Sequence, residues 1–192
     1  MRHLALDVIH DEHQALAAML RSMSLLVEQA QRARQAPDFG VLRAMLFYVD
    51  EFPERLHHPK ESELLFPRLR ERCPALVPTL DRLDADHARG EAAIRELEHA
   101  LLAYEVLGEP RRQPFVEALE RYIDGYLSHM AAEESEVLPA ARAQLTAEDW
   151  AALDAAFAAN RDPLTGRHEA SDVYKPLFRQ IVMTAPAPIG LG

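Results

Sequence analysis

HHPKESELLFP, residues His57 to Pro67, decides how this chain folds. Two histidines stand side by side, a proline follows, and Glu61 comes four residues after His57. A second stretch, HMAAEESEVLP from His129 to Pro139, repeats the plan: His-x-x-x-Glu, with a proline ten residues after the histidine. On a helix, residues i and i+4 are neighbours, so each stretch puts an imidazole and a carboxylate on one face. Each also carries an apolar run that belongs in a core. A proline inside a helix removes a backbone donor and clashes with the preceding turn. Pro53 and Pro59 therefore predict a kinked or bulged helix around His57.

Outward from these stretches the chain reads as helix. From Leu6 the positions Leu6, Ile9, His13, Leu16, Leu20, Met23 and Val27 alternate steps of three and four, the mark of one buried helix face. That helix ends before Pro37, and a second begins at the N-cap Asp38 and runs to about Arg70. The third starts near Pro78 and carries Leu83, His87, Gly90, Ile94, Leu97, Leu101 and Tyr104, stopping at Gly108. The fourth starts near Pro114, with Phe115, Leu119, Tyr122, Tyr126, His129, Glu133 and Val137 on its stripe. Thr146 and Asp149 form a capping box for a shorter fifth helix, residues 160 to 172 read as a loop, and a last helix spans about 173 to 183. No strand pattern competes. The expected fold is all-α: an up-down-up-down four-helix bundle over residues 1–145, with a helical extension and tail, 146–192, packed on it.

Composition sets the outer limits. The 192 residues carry a formal net charge of −10, which argues against non-specific nucleic-acid binding but leaves cations as ligands. The lone Cys73 cannot form an internal disulfide, and thiolate metal sites are excluded. A reducing, cytoplasmic setting is the simple expectation. The first residues do not read as a signal peptide, and no segment approaches the ~20 apolar residues that span a bilayer.

In three of the four long helices a histidine occupies the apolar stripe itself: His13, His87 and His129. His57 is the counterpart on the kinked helix. His13 and His57 lie 44 residues apart and His87 and His129 lie 42 apart, so the chain is two similar hairpins. Each hairpin gives one histidine on its first helix and His-x-x-x-Glu on its second. The first-helix histidines also share an acid just before them, Glu12 and Asp86. Folded together, the hairpins bring four imidazoles, Glu61 and Glu133 to one depth of the core. Buried carboxylates are costly unless paired or metal-bound. No Arg or Lys lies in the three regular stripes, so a cation is the economical partner. Mixed imidazole and carboxylate donors suit iron, and also zinc, manganese or copper.

At these residues the sequence resembles the hemerythrin-like (HHE cation-binding) family. The resemblance rests on Asp11-Glu12-His13, His57-His58-Pro59-Lys60-Glu61 with Leu65-Phe66-Pro67, Asp86-His87, and His129 to Glu134 with Leu138-Pro139, over roughly residues 5 to 145. It implies a non-haem di-iron centre, oxo- or hydroxo-bridged, with Glu61 and Glu133 as bridging carboxylates and His13, His57, His87 and His129 as terminal ligands. The oxygen-carrying members have two histidines on the third helix spaced His-x-x-x-His. Here the residue four after His87 is Glu91 and the one four before it is Leu83. The remaining ligand is His58 or Glu91, with a role for His58 in orienting a carboxylate as the alternative. The expected partner is a small diatomic molecule or peroxide, bound for sensing, storage or detoxification. An enzyme acting on O2 or peroxide and a metal-stabilised interaction module are the other readings. Tyr126, on the same face as His129, reads as core or as a hydrogen-bond donor to an oxygen species at the metals; His10 reads as a flanking residue and His3, His99 and His168 as surface.

Overall fold

The structure, a computed structural model, describes residues 2–191, apart from the side chain of Glu91. Helix α1 is Leu4–Ala33, ended by Arg34 in the left-handed conformation at φ 53°. Helix α2 is a continuous helical run over 39–72, capped by the Asp38 carboxylate accepting from the Val41 N–H at 3.0 Å. Helix α3 is Val77–Leu107, closed by Gly108 at φ 74°. Helix α4 runs over 112–144, α5 is Ala147–Phe157 with its Thr146–Asp149 capping box, and α6 is Lys175–Thr184. Among the described residues these are the six helices longer than one turn, and there is no strand. None is long and apolar enough to cross a membrane.

The prolines act as the sequence suggests, and in a regular way. In α2 the segment Asp50–His57 is wound as a π-helix, and the N–H of His58 bonds back to the carbonyl of Pro53, five residues earlier. A second π segment, Glu61–Leu65, ends with Phe66 N–H on the carbonyl of Glu61. In α4 the π segment Glu133–Val137 ends with Leu138 N–H on the carbonyl of Glu133. A proline follows each of the three donors: Pro59, Pro67 and Pro139. The proline cannot donate to its own i−4 carbonyl, and the ladder slips by one residue just ahead of it. His57, His58, Glu61 and Glu133 sit in or beside these widened turns.

Burial splits into two apolar clusters. One holds Leu16, Met19, Leu20, Met23, Leu42, Met45, Ile94, Leu97, Phe115 and Leu119. The other holds Leu6, Ile9, Leu65, Phe66, Leu69, Leu83, Val137, Trp150 and Phe157. Between them lies a layer of buried imidazoles and carboxylates: His13, His57, His58, Glu61, His129 and Glu133. The expected stripes of α1, α3 and α4 supply both clusters, and Leu65 and Phe66 close the core beyond the polar layer. The extension packs on the bundle through Trp150, Leu153, Phe157 and Phe178.

Candidate metal centre

Each helix of the bundle delivers part of the polar layer. From α1 comes His13, whose Nε2 lies 3.3 Å from Glu133 Oε2. From α2 come His57, with Nε2 3.2 Å from Glu61 Oε1, and His58. From α3 comes His87, with Nε2 3.6 Å from Glu61 Oε2 and 3.9 Å from Glu133 Oε1. From α4 comes His129, with Nε2 3.2 Å from Glu133 Oε1. Each carboxylate thus turns one oxygen toward the His13–His57 side and the other toward the His87–His129 side. Three overlapping groups have donor atoms close enough to hold an ion: His13, His57 and Glu61; Glu61, His87, His129 and Glu133; and His58, His87 and His129. The arrangement has two ends, one with two imidazoles and one with three, spanned by two carboxylates.

The orphaned atoms test whether a cation fits. His57 Nε2 and all four oxygens of Glu61 and Glu133 are buried and have no hydrogen-bond partner among the described residues. The ion-pair distances above are short, yet the orientations do not make hydrogen bonds. Five lone-pair-bearing atoms aimed inward and left unsatisfied would cost several kcal/mol in total. A pair of cations bound by nitrogen and oxygen satisfies them, so the donor set fits metal.

Outward-facing atoms are treated the opposite way. The Nδ1 of every one of these histidines has a partner. His13 Nδ1 meets Glu134 Oε1 at 3.2 Å, His57 Nδ1 meets Glu12 Oε2 at 2.7 Å, and His129 Nδ1 meets Asp86 Oδ2 at 3.5 Å. His87 Nδ1 meets Ser62 Oγ at 2.8 Å, and that hydroxyl donates to Asp84 at 2.6 Å. His58 Nδ1 meets Glu54 Oε2 at 3.2 Å. Such partners fix the ring and leave Nε2 as the inward donor. The acids before the first-helix histidines therefore work across the hairpin: Glu12 holds His57 of α2, and Asp86 holds His129 of α4.

Charge follows the same division. Burial works against the protonated form of His13, but its contacts with Glu133 and Glu134 outweigh that and raise it to about 9. Burial likewise opposes protonation of His57 and His129; Glu61 and Glu12 hold the first well above the ordinary value, and Glu133 raises the second. At the three-histidine end, burial and then the charges of His57 and His129 push His58 far down. Burial, His58 and His129 lower His87 to about 2. Burial, with Glu133 alongside, raises Glu61; Glu133 is also raised by burial, but its contacts with His129 and His13 drive it well below the usual carboxylate range.

All seven residues expected at the site, His13, His57, His58, Glu61, His87, His129 and Glu133, come together. His58 stacks on His87 with ring centroids 4.2 Å apart. The side chain of Glu91, the other candidate, lies outside the described residues. Glu54 was missed. It is 7 % exposed, accepts from the hydroxyls of Tyr126 and, at 3.4 Å, Tyr122, and faces His58. Burial raises its pKa, and the bonds from Tyr126 and Tyr122 only partly offset that. Its sequence signals are the i,i+4 spacing to His58 and Gly90 on the stripe of α3, whose missing side chain leaves room for the Glu54 carboxylate. Tyr126 is in the core, with its hydroxyl donating to Glu54. His10 is exposed and faces Glu134 at 3.5 Å. His3 is not a surface residue as expected: it stacks on Trp150 at a centroid distance of 4.0 Å.

A four-helix bundle with imidazoles and carboxylates converging at mid-depth belongs to the metal-binding helical bundles. The family model of the hemerythrin HHE cation binding domain matches residues 4–141, and the chain belongs to that family. Membership implies a cation-binding protein. No curated protein and no solved structure matches the chain.

Proposed function

We propose that this chain is a hemerythrin-like non-haem di-iron protein that binds O2, NO or a related small molecule. His13, His57, His58, His87 and His129 would be terminal ligands and Glu61 and Glu133 bridging carboxylates. The single observation that carries the reading is the pair of buried glutamates whose four oxygens lack hydrogen-bond partners while each faces histidines on two sides. Iron there would supply reversible binding of a small oxygen or nitrogen species, and zinc or manganese has the same donor preferences.

The two-histidine end has one donor fewer than the three-histidine end. A cavity with about 10 Å³ of free volume, room for about one water, lies beside His13, His57 and His58 against Leu16, Phe52, Leu56 and Met130. Such a pocket excludes bulky substrates from that end; a second pocket of about 410 Å³ lies at the three-histidine end against His58, His87 and His129. Glu12 and Glu134 orient His57 and His13 from behind. Glu61→Ala should lower bound iron severalfold while the helical content stays unchanged; undiminished iron would refute the role of that glutamate. Stoichiometric spectral change with O2, NO or peroxide supports the binder, and sustained peroxide consumption would favour an enzyme instead.

A further inference from the structure

The family match ends at residue 141, yet the centre's two-histidine end is finished by residues beyond it. Phe157 is fully buried, and its ring lies 6.0 Å from that of His57. Asn160 is 4 % exposed and donates its Nδ2–H to Glu12 Oε2 at 2.9 Å, the same oxygen that His57 Nδ1 meets at 2.7 Å. Lys60 in turn donates to the Asn160 amide oxygen. Asp162 is also buried: it accepts from the Tyr48 hydroxyl at 2.6 Å and from the Leu164 N–H at 2.9 Å. Arg161 and Asp162 complete the lining of the small cavity beside His13 and His57. Arg167 ties the loop to α1 through Asp11.

A connecting loop usually lies over the surface and satisfies its polar groups with water. This one buries an amide, bonded to the Glu12 carboxylate behind His57, and a carboxyl that lines the cavity. Tightly held, it is both a wall and a support. We propose that Arg161 and Asp162 of the extension set the size of the ligand cavity at the two-histidine end, restricting it to diatomic-sized molecules, and that Asn160 is a positioning residue that acts on His57 through Glu12. The size role rests on the di-iron reading above; the Asn160 role stands on contacts within the protein alone.

Two variants of the full chain separate these claims. Arg161 is exposed, so Arg161→Ala widens the wall without a folding penalty. In the iron-loaded protein it should speed azide binding at least tenfold while NO binding changes less than twofold. Loss of a positive charge by itself slows an anion, so faster azide reports the opening. Unchanged or slower azide binding overturns the size role. A wild-type chain that takes up no iron overturns the di-iron reading, and the size role with it. For Asn160→Ala, the 15N-labelled metal-free protein is the sample. The Nδ1–H resonance of His57 should shift or broaden while those of His13 and His129 hold their positions. A His57 signal that stays put, or three signals that move together, overturns the positioning role.

Discussion

Alanine at Gly90 should destabilise this protein, although the same change in an ordinary helix stabilises it. Gly90 lies in the middle of α3, where glycine costs ~1 kcal/mol relative to alanine. A Cβ there would sit 2.2 Å from Glu54 Oε2 and 2.8 Å from its Cδ. The end of a glutamate can normally swing aside, but this one is buried and held by Tyr126, Tyr122 and His58. Moving it sacrifices about two hydrogen bonds to a charged or partly charged group, at ~1.5–3 kcal/mol each. Net of the helix gain, Gly90→Ala should lower unfolding free energy by about 2–5 kcal/mol. Gly125, in mid-α4, provides the control: a Cβ there meets nothing within 4 Å, so Gly125→Ala should gain ~0.5–1 kcal/mol. Urea unfolding of the metal-free proteins at neutral pH reads both. Two stabilised variants would refute the claim that Glu54 is pinned and that Gly90 exists to make room for it.

Metal uptake should release protons. His13 is raised to about 9, so at pH 7 its ring carries a proton that a metal must displace, and contacts with the glutamates raise His57 and His129 as well. Ferrous or zinc affinity should rise about tenfold per pH unit for each displaced proton between pH 6 and 8, and a pH-stat titration counts them. Asp162 gives a separate pH effect. Burial raises it to about 6, so the folded chain holds that proton more tightly than the unfolded one. Stability from this group is complete below about pH 3.8 and declines as pH rises through 6, by about 3 kcal/mol. Asp162→Asn should remove that decline, seen as a wild-type-minus-variant difference in urea midpoints that shrinks or reverses between pH 4 and 7.

What the sequence made legible follows from periodicity. Where a helix keeps 3.6 residues per turn, a stripe names its own core residues, and the stripes of α1, α3 and α4 are buried from Leu6, Leu83 and Phe115 onward. His13, His87, His129 and Glu133 were readable because they interrupt those stripes. In α2 the π segments shift the register, so no regular stripe marks Glu54 as buried, although it stands four residues before His58. The prolines announced that distortion, but the slipped hydrogen bonds ahead of Pro59, Pro67 and Pro139 emerge only with backbone geometry. Glu12 and Asp86 were visible as acids beside histidines, whereas their bonds to His57 and His129 on the other helix depend on how each hairpin closes. Asn160 and Asp162 carried no signal at all. A polar loop with Pro163 and Gly166 reads as solvated, and only tertiary contacts reveal that its amide and carboxyl are buried.

The central claim is that two carboxylates and five imidazoles hold a pair of iron ions. Its most direct test is the metal content and visible spectrum of anaerobically reconstituted protein, before and after O2. About two iron ions per chain and a new absorption band on oxygenation are expected, with both lost in the Glu61→Ala, Glu133→Ala double variant. A folded chain that holds no iron, or a double variant that keeps all of it, would show that these residues do not form a di-iron centre.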